Sequence, residues 1–384
     1  MARIRRLLES VYTILKCYLL LPVALWKYRG REIWLVSERG TDARDNGYHF
    51  FKYLREQHPE IEAYYVITED SVDRDRVAAL GDVVRHGSLQ HYLMLIAAKN
   101  KISTHILGFV PSLEFSARFV KLLPRKSNRI FLQHGVTMND MQVLYREKTA
   151  LDLFVCGAKK EYDYVAANFH YTNEVKYTGF ARYDALHDAK VKNQILLMPT
   201  WRLYLSECPE PELARSEYVT RWNAVLRDPR LLEALRNNNK KMVFYPHYEV
   251  QKQFLHLFTS DDPSVVIADF DHYDVQQLLK ESQLLITDYS SVFFDFAYMK
   301  KSSVYYQFDE ERFHAGHYRK GYFDYREMGF GEVLTEHDAL VDTIISYLEG
   351  NCQTKAEYAC RMDDFFPLHD TRNCERIYEE ILKL

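Results

Sequence analysis

From Glu32 onward, short apolar runs rich in β-branched and aromatic residues alternate with stretches whose apolar positions recur at helical spacing. The runs predict strands over Ile33 to Ser37, Ala63 to Thr68, Asp82 to Arg85, Lys101 to His105, Arg129 to Gln133, Leu153 to Cys156 and Val175 to Thr178. Between them the spacing predicts helices over Gly47 to Gln57, Leu89 to Lys99 and Lys159 to Phe169. A polar connector, Asp184 to Asn193, separates a second series of strands: Ile195 to Met198, Met242 to Tyr245, Val265 to Ala268, Leu284 to Thr287 and Val304 to Gln307. Its helices are expected at Val219 to Asn237, Val275 to Glu281, Val292 to Lys300 and Ala339 to Glu349, with a long last helix from Thr371. This alternation predicts an α/β protein with two parallel, Rossmann-like sheets, each covered by helices on both faces. The expected division is a membrane-associating segment 1–30, a first domain 31–188 and a second domain 189–384, the last helix packing back on the first domain. Two such sheets facing one another would open their strands' carboxyl ends onto a central cleft, where ligands bind in this class.

The first segment departs from that pattern. An apolar run from Val11 to Trp26, broken by Lys16 and Pro22, is flanked by Arg3, Arg5, Arg6, Lys27, Arg29 and Arg31. The run is shorter than the roughly 20 residues a spanning helix needs. No small-residue cleavage site follows it, since Trp26, Lys27 and Tyr28 stand there, which disfavours a secretory signal. The reading is an in-plane anchor, with the bases among anionic headgroups and Leu15, Leu19, Leu20, Leu21, Leu25 and Trp26 at the acyl boundary. An ordinary first helix packed on the domain is the alternative.

Composition narrows the function further. The 384 residues carry a net charge of -4, which disfavours a general nucleic-acid binder. Six cysteines without a CxxC pair suggest neither a disulfide framework nor a zinc site, in keeping with a reducing cytoplasm. Tyr (29) and Phe (22) are abundant enough to line a cleft as well as a core.

The candidate chemistry sits at predicted strand ends. Gln133-His134-Gly135 places an imidazole able to accept a proton beside a glycine that lets backbone approach a ligand. Pro246-His247 and Pro199-Thr200-Trp201-Arg202 each follow a strand that proline terminates; Arg202 offers a fork for phosphate oxygens and His247 a hydrogen bond to a phosphoryl group. Thr287-Asp288-Tyr289-Ser290-Ser291 runs from a strand into a helix containing Asp295, so free amides and two hydroxyls could cradle a diphosphate. The bland alternative for that turn is a serine N-cap. Asp73-Arg74-Asp75 and Asp269-Phe270-Asp271 match a metal-holding Asp-x-Asp spacing, the second staying open as a minor reading. There is no Walker loop, Gly-rich dinucleotide turn, GxSxG elbow or HExxH.

Taken in order, these elements resemble the CDP-glycerol:glycerophosphate glycerophosphotransferase family, the teichoic acid primases and polymerases. The resemblance is carried by Thr287 to Asp295 with the following Phe296 to Lys301, by Tyr305 to Asp309 including Gln307, and by Gln133 to Gly135. Gly179-Phe180-Ala181-Arg182-Tyr183-Asp184, Pro199 to Arg202 and Pro246-His247 extend it from about Ser37 to the C-terminus. It implies a GT-B-like fold, His134 and His247 as the two essential histidines, and donor diphosphate binding around Ser290 and Ser291. It also implies transfer of glycerol phosphate, or ribitol phosphate, from a CDP-alditol to a hydroxyl of an undecaprenyl-diphosphate-linked saccharide, with release of CMP. The work would be done peripherally at the cytoplasmic face of the membrane, the donor being a substrate and no cofactor or bound metal being expected. Ala181, Tyr183 and the residue after Asp370 depart from the family pattern and bear on acceptor choice. The length resembles that of single-addition primases, and a polymerase of the same family, of which short ones also exist, stays open beside it. Two rivals stay open: a GT-B glycosyltransferase using a nucleotide sugar, and a non-catalytic membrane-associated scaffold.

Overall fold

A computed structural model describes residues 2–124, 127–188, 190–206, 208–315 and 319–384, with side chains from residue 4; the side chain of Arg3 and residue 189 of the predicted connector lie outside them. The chain divides into two compact units. The first takes the chain up to Thr137, Met141–Ala185 and Leu368–Leu384, and the second takes Met138–Asp140 and Leu186–Pro367.

In the first unit β1 (Trp34–Ser37), β2 (Ala63–Ile67), β3 (Val83–Arg85), β4 (Asn100–Ser103), β5 (Asn128–Phe131), β6 (Leu153–Cys156) and β7 (Val175–Tyr177) form one sheet in the order β3-β2-β1-β4-β5-β6-β7. All neighbours are parallel. Such strands are buried on both faces, which is why β1 and β6 read as continuous rather than alternating apolar runs; β4 (Asn-Lys-Ile-Ser) is equally buried but largely polar. The second unit holds β8 (Gln194–Met198), β9 (Lys241–Phe244), β10 (Val265–Ile267), β11 (Leu285–Thr287), β12 (Ser303–Tyr306) and β13 (Val333–Leu334), in the order β10-β9-β8-β11-β12-β13 and again all parallel. Each predicted strand is present within a residue or two of its expected bounds. β13, with two residues, is too short to leave a periodic signal.

The helix expected over Val219 to Asn237 is two helices, Glu217–Arg227 and Pro229–Asn237. Asp228 separates them: its carboxylate accepts from the N–H groups of Arg230 and Leu231, and Pro229 starts the second helix where no donor is needed. The last helix is Asn373–Leu382. It is held to the first unit through the Gly179–Asp184 segment, because Asp184 Oδ1 accepts from Asn373 N (2.9 Å) and Oδ2 from Cys374 N (2.8 Å). Gly179, at φ +78°, comes so close that a Cβ there would lie 1.8 Å from Asn373 Oδ1. Gly179 and Asp184 of this motif therefore dock the chain's last helix.

The N-terminal helix spans Ala2–Lys27, with Pro22 inside it, so the run counted from Val11 understates it. By length and composition Ile4–Lys27 is sufficient to cross a membrane. One face is already used: Ser10, Thr13, Cys17 and Ala24 are fully buried, Leu20 and Leu21 pack partly against the core, and Lys16 Nζ lies 3.9 Å from the centre of the Tyr92 ring. The opposite face leaves Leu15, Leu19, Leu25 and Trp26 exposed, Trp26 at 81%.

Gly179→Ala combines a left-handed backbone with a clash against Asn373, so we expect a loss of about 1–3 kcal/mol from the backbone alone. Hydrogen exchange should then quicken selectively in the amides of Asn373–Leu382; uniform exchange rates across the unit would show that the contact does not hold the helix.

Candidate active site

Register fixes what meets at the carboxyl edge of the first sheet. Ser37 pairs with Ser103 and Ser103 with Phe131, so the residues just beyond these three strands emerge side by side: Arg39 after β1, Thr104-His105 after β4 and His134 after β5. The rings of His105 and His134 stack, 4.8 Å between centroids and 10° from parallel. Arg39 Nε donates to His105 Nε2 at 3.1 Å. A guanidinium N–H can only donate, so His105 Nε2 is unprotonated; the ring is the neutral Nδ1–H tautomer, and Nδ1 bonds Thr104 Oγ1 at 3.0 Å. Burial, then His134, then Arg39 lower the His105 pKa to about 3. Crowding by the surrounding loops, followed by the positive charges of Arg39 and Arg182, pushes His134 down to about 4, although part of the residue remains open to solvent. His134 is thus an unprotonated imidazole at neutral pH, free to take a proton.

The turn that presents His134 is held from below. Gln133, not Gly135, takes the left-handed conformation, at φ +57°. A non-glycine residue stays there only when its surroundings over-determine it. Gln133 Nε2 donates to Val155 O (2.6 Å) and Glu161 Oε1 (3.0 Å), and its Oε1 accepts from Thr137 Oγ1 (2.7 Å). Its main-chain carbonyl accepts from Asn46 Nδ2 at 2.7 Å, and that amide also reaches Leu132 O. Asn46 Oδ1 in turn accepts from Arg182 N at 3.0 Å. Glu161, fully buried, collects Thr137 N (2.6 Å) and Gly157 N (2.7 Å), while burial raises its pKa to about 7. Gln133 is 2% exposed, so the expected substrate contact by its side chain is corrected: its amide is consumed in shaping the loop.

In the second unit β8 lies between β9 and β11, so Thr200, His247 and the Ser290-Ser291 turn follow neighbouring strands. His247 is exposed beside buried Pro246, and its N–H donates to Pro199 O at 3.1 Å. Its Nδ1 accepts from Glu249 N at 3.3 Å, which leaves Nε2 as the protonated nitrogen of the neutral ring. Gln251 Nε2 fixes Pro246 O at 2.6 Å. The helix after β11 is Val292–Tyr298, shorter than expected, and Ser291 makes no capping bond with its side chain. Ser290 Oγ reaches Val292 N only at 3.5 Å, and both serines are half-buried. Asp295 is 6% exposed within that helix.

Arg202 is the main correction in this unit. It is wholly buried: NH1 sits 2.8 Å from Asp288 Oδ2, and Nε and NH2 bond Asp309 at 2.7 and 3.0 Å. Tyr204 Oη adds a bond to Asp309 at 2.7 Å, and the Tyr218 and Tyr289 rings lie 5.1 and 5.0 Å from the guanidinium carbon. The two carboxylates outweigh desolvation and hold Arg202 far above its ordinary pKa, so the fork is structural and does not await a phosphate. Asp288 also accepts from Thr200 N (2.8 Å) and Tyr289 N (2.6 Å), its carbonyl accepts from Gln307 Nε2 (3.0 Å), and Thr287 Oγ1 bonds Met198 O (2.7 Å). Thr287, Asp288, Tyr289, Arg202 and Gln307 are therefore the buried frame that ties β8, β11 and β12 together under the half-buried turn. Thr200 Oγ1 finds no partner among the described residues. Asp73 serves Ala43 N and Arg44, and Asp269 serves His272; among the described residues no three His, Cys, Asp or Glu side chains cluster as metal ligands.

Two parallel α/β sheets with histidines at their carboxyl edges serve more than one chemistry, and sequence comparison decides the family. Residues 21–383 match the family described as CDP-glycerol:poly(glycerophosphate) glycerophosphotransferase, and the chain belongs to it. It is 36% identical over 369 residues, 93% of its own length, to the minor teichoic acid biosynthesis protein GgaB of Bacillus subtilis (strain 168), of which it spans 40%. It is 27% identical over 307 residues to the teichoic acid poly(glycerol phosphate) polymerase of Bacillus spizizenii, covering 70% of this chain and 73% of that one. The structure of the wall teichoic acid polymerase TagF matches 99% of the chain with a TM-score of 0.72 at 18% identity, a likeness of fold, and the fold is GT-B-like.

Arg202→Met should lower stability by about 3–5 kcal/mol in urea titration, since it strands two buried carboxylates. A loss below about 1 kcal/mol would mean that the cluster is solvated and does not frame the turn.

Proposed function

We propose that this chain transfers glycerol phosphate from CDP-glycerol to a hydroxyl of an undecaprenyl-diphosphate-linked saccharide at the cytoplasmic membrane face. The observation that carries the reading is the neutral His134 imidazole at a strand end, in a family whose description names CDP-glycerol as donor. In this mechanism His134 removes the proton of the acceptor hydroxyl as its oxygen attacks the phosphorus bearing glycerol. The bond from that phosphorus to the bridging oxygen breaks, and CMP leaves with the electron pair. His247 donates Nε2–H to a phosphoryl oxygen as charge builds there. Thr200 Oγ1, Ser290, Ser291 and the main chain at Gly135 and Pro246 are the groups assigned to hold the donor. Asp295 and Gln307 act from beneath that turn.

The N-terminal helix supports peripheral attachment. With one face packed and Leu15, Leu19, Leu25 and Trp26 exposed on the other, it suits lying in the interface, with Arg5, Arg6, Lys27 and Arg29 toward anionic headgroups.

The direct test supplies purified enzyme with CDP-glycerol or CDP-ribitol and a synthetic lipid-linked disaccharide, then weighs the products and measures CMP. Glycerol phosphate addition with equimolar CMP is expected; release of a nucleoside diphosphate would replace this reading with glycosyl transfer. His134→Ala should lower kcat at least about 100-fold while CDP-glycerol affinity is kept. Because the folded pKa lies below 6.5, His134 stays unprotonated as pH falls through 6.5, so the acid limb of kcat/KM should fall well below pH 6. A limb near 6.5 set by His134 would refute the assignment.

A further inference from the structure

We infer that Arg39 holds a non-bridging phosphate oxygen of the substrate beside His134, the part that the sequence suggests for Arg202. The inference rests on the phosphoryl-transfer reading above and adds to it an anion subsite in the first unit.

Three observations converge on it. First, the other guanidiniums near these strand ends are committed: Arg44 Nε lies 2.8 Å from Asp73, Arg182 NH1 lies 2.8 Å from Asp45, and Arg202 sits between Asp288 and Asp309. Arg39 forms no ion pair among the described residues. Asp42, in its own loop, accepts from the Arg39 main-chain N–H at 3.3 Å. Second, the partner Arg39 does have is uncharged. Donation of Nε to His105 Nε2 orients the guanidinium without neutralising it, and no protein acceptor among the described residues takes its two terminal nitrogens. Arg39 is also exposed, so a ligand can reach it. Third, the partner is the ring stacked on His134, so the free end of the fork and the base are placed by one rigid unit. A planar, charged, preoriented pair of N–H donors matches two phosphate oxygens far better than a flexible ammonium does.

The arrangement has a mechanistic consequence. The positive groups bearing on His134 are Arg39 and Arg182, with His105 neutral against its face and Thr104 O accepting from it. Asp45 already offsets Arg182. A phosphate on Arg39 offsets the remaining charge, so His134 becomes a stronger base when, and only when, substrate is bound. His105 acts through Arg39 and His134 and is a positioning residue.

The test compares wild type, Arg39→Gln and Arg39→Lys in two measurements. In the first, the His134 imidazole is followed by 15N NMR while inorganic phosphate is titrated in. Its pKa should rise in the wild type and stay fixed in Arg39→Gln. In the second, CMP release is measured with donor and acceptor varied separately. Arg39→Gln should lower kcat/KM about 100-fold, with partial recovery in Arg39→Lys or on adding free guanidinium. A KM increase confined to the acceptor places the bound phosphate on the acceptor, and one confined to CDP-glycerol places it on the donor; either supports the assignment. Kinetics in Arg39→Gln equal to wild type, with an unchanged NMR response to phosphate, would overturn it. If the wild type released no CMP at all, the transferase reading would fail while the phosphate titration still decided the anion subsite.

Discussion

The chemistry of the first unit depends on one strained turn. Gln133 is held at φ +57° by bonds from its own side chain to Val155, Glu161 and Thr137 and by Asn46 beneath its carbonyl. A left-handed conformation at such a residue costs of order 1–3 kcal/mol, and it persists because four buried partners would be stranded if the turn relaxed. What the strain secures is direction: the next residue, His134, leaves the sheet edge with its ring against His105. The same device recurs in the second unit with charge in place of neutral amides. There Asp288, Arg202 and Asp309 tie three strand ends together, and the half-buried turn of Ser290 and Ser291 rests on them.

These networks explain how a catalytic edge can be both polar and rigid. Parallel strands end in loops whose main-chain groups cannot pair within the sheet, so each needs a side-chain partner or water. Here a few buried polar residues serve several loops at once: Asn46 serves the loop after β5 and the Gly179–Asp184 segment, and Glu161 the loops after β5 and β6. The reacting groups are then left with few obligations of their own. His134, His247 and Arg39 are exposed, whereas the groups that aim them are not.

The architecture was legible because most of the parallel strands carry short apolar runs between helical stretches, as β1, β6 and β8 do. The placing of His134 and His247 at strand ends was legible for the same reason. What remained hidden was which polar residues face inward. Arg202 reads as a phosphate fork until its two aspartates, one 86 and one 107 positions later in the chain, are seen to enclose it. Gly135 looks like the permissive position, but side-chain bonds from distant segments override local propensity and load the turn on Gln133. Asn46, Glu161 and His105 gave no periodic signal; the only hint was that Glu38-Arg39-Gly40 follows a predicted strand and that Thr104-His105 closes one, as Gln133 does just before His134. Family resemblance preserved the motifs but did not distinguish those that touch substrate from those that hold the loops.

The claim that a buried network aims the base is tested most directly by kcat of Asn46→Ala, measured at a temperature where circular dichroism shows the protein fully folded. Asn46 touches the main chain of Leu132, Gln133 and Arg182 and is itself fully buried. If it sets the turn, kcat falls by about 100-fold while CDP-glycerol affinity is unchanged, because a small misplacement of the reacting group is enough. A kcat equal to wild type in the folded variant would contradict it.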